Sequence, residues 1–77
     1  AKRLASPKPE APLTPREMAV LRMLSDGLGH IEIAERLEIS ERTARAHVAA
    51  IRDKLGATNA AQAIAKAFSR GILATDR

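Results

Sequence analysis

The chain has no cysteine, tryptophan or tyrosine, and its one aromatic residue is Phe68. Without cysteine there is no disulfide framework and no thiolate metal site. One ring offers no platform for stacking unpaired bases, so a nucleic-acid partner would be duplex DNA rather than a single strand or RNA. No apolar run approaches the roughly 20 residues of a membrane span. The first residues do not read as a signal peptide, and the expectation is a soluble, cytoplasmic protein. Length excludes more. The 77 residues allow one domain, and a domain of about 60 residues buries only about 60% of the surface its unfolded chain exposes. Little space is left for an enclosed active site, so an enzyme is not expected.

Acid is also in the minority. Thirteen Lys and Arg against nine Asp and Glu give a net charge of +4, which suits a polyanionic partner, although many small domains are basic for solubility alone. Three of the four prolines and the basic Lys2, Arg3 and Lys8 crowd into residues 1–12. That stretch has little to bury and reads as a flexible, Pro-rich basic linker or tail, or as an arm that touches DNA; residues 13–77 form the domain.

From Leu13 onward the chain is punctuated for helices. Thr14-Pro15-Arg16-Glu17 is a capping box opening a helix over about 15–26, with Met18, Val20, Leu21 and Leu24 on its apolar face and Asp26-Gly27 at its end. A second helix spans 30–37, with Ile33, Ala34 and Leu37 facing inward. Ser40 caps a third over 41–55, which Gly56 stops, and a fourth opens near Asn59 and runs over 60–70 to Gly71. Ala63, Ile64, Ala67 and Phe68 are expected to pack inward. The remaining alanines would let two copies of this helix approach closely, or serve only as good helix formers. The fold class is all-α, a four-helix bundle with a central helix-turn-helix.

The second and third helices are joined by Glu38, Ile39 and Ser40 alone, short enough to force a sharp crossing with Ile39 tucked between them. At 100° per residue, Ala44, Val48, Ile51 and Leu55 form one stripe of the third helix. Arg42, Arg45, Ala46 and Ala49 lie opposite, with Arg52 to one side and Asp53 at the far end. Arginine forks match the acceptor edge of guanine, and small alanines permit close approach in a major groove about 12 Å wide. Ser40 and the first-turn amides suit a phosphate. Arg45 is also four residues after Glu41, so the two would pair on a solvated face. The cap, the core stripe and the basic face occurring together favour the groove.

His47 and Lys54 lie on a flank between stripe and basic face, where they would touch phosphates or brace the domain. His30 starts the second helix. The two histidines have no third ligand at metal spacing, so neither zinc nor any other cofactor is implied. Glu32, Glu35 and Glu38 read as a solvated acidic face rather than as general acids.

Together, Leu13-Thr14-Pro15-Arg16-Glu17, Val20-Leu21, Gly27, Ile33-Ala34, Leu37, Ile39-Ser40, Thr43, His47-Val48, Ile51, Lys54-Leu55-Gly56, Asn59, Ala63 and Gly71-Ile72-Leu73 closely resemble the LuxR/FixJ/NarL-type helix-turn-helix of bacterial transcription regulators. The pattern covers residues 13–73. The resemblance implies sequence-specific binding of duplex DNA by the output domain of a regulator, with the third helix in the major groove and the fourth pairing two copies; the upstream input is left open between a receiver domain, a sensor domain and none. It places base reading on Arg45, Ala46 and Ala49, with Arg42 a further candidate. Thr43, His47, Lys54 and Asn59 fall where backbone contacts or local bracing are usual.

The sequence departs from that pattern at Ile31, Ala49 and Ala60, where relatives often carry Lys or Arg, and at Ala44, where most have Val. Each phosphate contact adds about 0.9 to the slope of log affinity against log salt, so this domain is expected to show a flatter salt dependence. The same losses leave open a helix-turn-helix module that binds a protein, with DNA binding weakened or lost. The promoter-reading helix-turn-helix of a sigma factor is a third reading, which the Leu-Thr-Pro-Arg-Glu opening and the Gly-Ile-Leu ending disfavour.

Overall fold

A computed structural model describes residues 13–74, so the expected linker over 1–12 lies outside them. Four helices follow in order: α1 (Pro15–Ser25), α2 (His30–Leu37), α3 (Glu41–Leu55) and α4 (Ala60–Ser69). No strand occurs among the described residues. None of their helices is long and apolar enough to cross a membrane.

Helices α1, α3 and α4 each begin where a side-chain oxygen accepts from an amide of the first turn. At α1 the Glu17 amide donates to Thr14 Oγ1 at 3.1 Å and the Thr14 amide donates back to Glu17 Oε1 at 3.0 Å. Ser40 and Asn59 cap α3 and α4 by accepting from Thr43 N and Gln62 N. At α2 the cap is Gly29, whose amide donates to Glu32 Oε1 at 3.2 Å. The far end of α3 closes on Gly56 at φ 67°, a left-handed conformation natural to glycine. Lys66 of α4 then donates to the Gly56 carbonyl at 2.9 Å.

Helix α3 is the hub, packed against each of the other three. Ala44 and Ile51 are fully buried and Leu55 nearly so, closing on Val20 and Leu21 of α1, Ile33 and Ala34 of α2, and Ala63 and Ala67 of α4. Val48 and Leu37 are half-buried at the margin of this core. An ion pair adds to the packing of α1 on α3: Lys54 Nζ lies 2.7 Å from Glu17 Oε1.

One expectation at the end of the chain needs correction. Helix α4 stops at Ser69, with Arg70 as its cap, and Phe68 is 41% exposed rather than packed inward. The buried stripe of α4 is Ala63 and Ala67, and Phe68 is rotated about 100° beyond Ala67. Gly71, at φ 77°, then turns the chain. The amides of Ile72 and Leu73 both donate to the Ala67 carbonyl, and Leu73 enters the core.

Candidate nucleic-acid interface

The connection between α2 and α3 sets how the third helix is presented. Glu38 adopts φ 58° and ψ 45°, the one positive φ outside glycine among the described residues. This left-handed step reverses the chain within three residues. Ile39 follows, its amide donating to the Ala34 carbonyl at 3.0 Å and its side chain packed against the core. Ser40 then starts α3, its hydroxyl donating to Thr43 Oγ1 at 2.9 Å.

With Ala44, Ile51 and Leu55 buried behind it, α3 turns Arg42, Thr43, Arg45 and Ala46 to solvent. Ala49 is half-buried, at the edge of that surface. The Arg45 side chain is 63% exposed, and its Nη2 donates to Glu41 Oε2 at 2.8 Å. The same oxygen lies 3.0 Å from His30 Nε2. One carboxylate thus ties the first residue of α2 to the second turn of α3. A shallow depression between Glu41, Arg42 and Arg45 lies at the exposed end of the helix.

The residues expected at the nucleic-acid backbone divide into two groups. Ser40 and Thr43 are exposed beside the arginines while bonded to each other. His47 is half-buried on the flank. Lys54 and Asn59 stand apart from them. Lys54 is eleven residues beyond Thr43, about 16 Å along the helix axis, and its ammonium engages Glu17. Burial pushes the Glu17 carboxyl up, but hydrogen bonds from Lys54 and Thr14 and the lysine charge outweigh it and hold the group below its ordinary value of 4.5. Local bracing is therefore the role in which Lys54 has a partner. Asn59 caps α4.

Sequence reasoning gave no role to Arg52. It shares a face of α3 with Arg45 and Val48, at the i, i+3, i+7 spacing that could have revealed it. All three line a cleft of about 420 Å³ against the α1–α2 turn and the start of α4. Of the positions that depart from the resembled pattern, Ile31 is 57% exposed on α2 and Ala60 lines that cleft.

A family model described as bacterial regulatory proteins, luxR family, matches residues 11–67. Transcriptional activator protein BjaR1 of Bradyrhizobium diazoefficiens is 43% identical over 68 residues, which cover 88% of this chain and 28% of that protein. The chain thus spans under a third of this curated relative. Among solved structures, transcription factor GerE superposes with a TM-score of 0.76 at 34% identity, covering 83% of this chain and 96% of its own. Response regulator ChrA, from a heme-sensing two-component system, gives a TM-score of 0.80 at 36% identity, covering 86% of this chain and 33% of its own. The chain belongs to the luxR family of bacterial regulatory proteins, and it is a helix-turn-helix DNA-binding domain of the transcription-regulator type, not an enzymatic one.

Proposed function

We propose that α3 reads the major groove of a specific duplex on behalf of a larger bacterial transcription regulator. The observation that carries this is the two-sided character of α3. Ala44, Ile51 and Leu55 anchor its back, while Arg42 and Arg45 stand exposed on its front beside the small Ala46. In this reading Arg42 and Arg45 fork onto base edges, and Ala46 and Ala49 allow the helix to come close. The hydroxyls of Ser40 and Thr43 and the first-turn amides of α3 meet a phosphate, with His47 and Asn59 along the strand. Lys54 acts from behind, holding α3 against α1.

Two copies pair through α4 on a near-palindromic site in this reading. Its support is the exposed side of α4, where Ala61, Ala65 and Phe68 face solvent. An upstream receiver or sensor domain supplies the signal, in keeping with the length of relatives such as BjaR1 beyond the matched segment. A cytoplasmic location follows from access to the chromosome.

Selection of bound sequences from a random duplex pool tests the reading and returns half-site and spacing together. On the selected duplex, Arg45→Ala is expected to cost roughly 1–3 kcal/mol and to relax preference at one base pair. Unchanged affinity and preference, with the fold intact, refute the base-reading role. A protein-binding module is the second reading, favoured by the 57% exposure of Ile31. A gel-shift series with random duplex at low salt separates the two, since a pure interaction module gives no retardation at micromolar protein.

A further inference from the structure

A separate cleft lies beside α3. Leu24, Leu28 and Val48 give it an apolar lining, and His30, Arg45 and Arg52 line it as well. Nε of Arg52 is inaccessible to solvent and has no hydrogen-bond partner. A buried guanidinium nitrogen without an acceptor is uncommon in a settled fold, because its desolvation is uncompensated. His30 and Arg45 are both held from outside this lining by one oxygen of Glu41. Arg52 lies a further two turns along α3 from Arg45.

We infer that this cleft receives one phosphodiester of the bound duplex, and that Arg52 is its principal ligand. The inference rests on the DNA-binding reading above and extends it to a residue outside the exposed face of α3. Three features match the occupant. Arg45 and Arg52 bring positive charge to the cleft, where a phosphate is anionic. The leucine and valine lining suits the apolar side of a deoxyribose. Arg45 borders both this cleft and the exposed face of α3, so a strand flanking the groove that α3 enters passes over the opening. Ala60, which also lines the cleft, adds only a methyl group to it. Such a contact fixes register and adds affinity without reading sequence.

The test compares the 77-residue chain with its Arg52→Met variant, which keeps an apolar stem of similar length. Fluorescence anisotropy with a labelled duplex is measured across a range of salt. Arg52→Met is expected to reduce the slope of log affinity against log salt by about 0.9, the signature of one lost phosphate contact. Its deficit therefore narrows about 3-fold between 50 and 200 mM salt. Preference among duplex sequences should stay as in the unmodified chain. An unchanged slope overturns the inference, whether or not affinity falls, because a merely structural role would not alter counterion release. A reduced slope accompanied by altered base preference overturns it too, since Arg52 would then be reading bases. Should Arg52→Met melt early, Arg52→Gln carries the same comparison. If the unmodified chain itself fails to bind duplex at low salt, the DNA-binding reading has failed, a result distinct from failure of the Arg52 contact alone.

Discussion

Lys54 and Glu17, 37 residues apart in sequence, meet at 2.7 Å through the same oxygen that accepts the Thr14 amide. Glu17 therefore closes the capping box of α1 and anchors the C-terminal half of α3 at once. A carboxylate this buried, with both partners in place, is costly to disturb from either side. Glu17→Ala is expected to destabilise the fold by about 2–4 kcal/mol, below the full value for a deeply buried pair because the Lys54 side chain keeps 25% exposure. Lys54→Ala should cost less, since the Thr14 amide keeps its acceptor. Urea melts of both variants check the ordering, and an equal or reversed ranking would remove the double role of Glu17.

The same pair makes stability depend on pH. The folded-state value of Glu17 is lowered from its ordinary 4.5, so the unfolded chain takes up the proton first as pH falls. The contribution is complete above 4.5, shrinks below it, and is gone once pH passes the lower folded value. Lys54→Met removes the main opponent of burial, so the carboxyl rises and this acid-side loss should flatten or change sign. Thermal melts at closely spaced pH values, with and without the substitution, read the effect directly.

Glu41 restrains Arg45 in the free domain and adds a negative charge to the surface proposed to face phosphates. Exposed pairs of this kind contribute about 0–1 kcal/mol. Glu41→Gln is therefore expected to raise affinity for random duplex, by up to about 5-fold at low salt, with the gain fading as salt is added. Anisotropy against non-specific duplex measures it. Weaker binding by Glu41→Gln would mean that the carboxylate positions Arg45 for its base rather than holding it back.

The turn into α3 stores strain at Glu38, whose left-handed conformation costs a non-glycine residue roughly 1–2 kcal/mol. Glycine there would relieve the strain but add freedom to the unfolded chain, an opposing effect of about 0.4–1 kcal/mol. Glu38→Gly is expected to stabilise the domain by up to about 1 kcal/mol. A lower melting temperature for Glu38→Gly would show that the glutamate side chain contributes something its exposed position does not reveal.

Most of the helical scaffold was legible because its signals are local. Thr14 with Glu17, Ser40 with Thr43, and Asn59 with Gln62 act over three residues, so their spacing announces each start whatever the rest of the chain does. The front and back of α3 follow from a fixed rotation per residue, which is why Arg42 and Arg45 were separable from Ala44 and Ile51 without coordinates. The capping interactions and this periodicity, which needs no partner, were properties of the sequence itself.

What the tertiary structure alone decided depends on how the helices cross. Phe68 turned outward and Leu73 inward because the final glycine turn brings a later residue to the core. Lys54 was expected near a phosphate or as a brace, and only the packing of α3 on α1 brought Glu17 within reach. The cleft around Arg52 likewise needs the α1–α2 turn to stand beside α3. Such contacts join residues tens of positions apart, and their existence depends on crossing geometry rather than on any repeat along the chain.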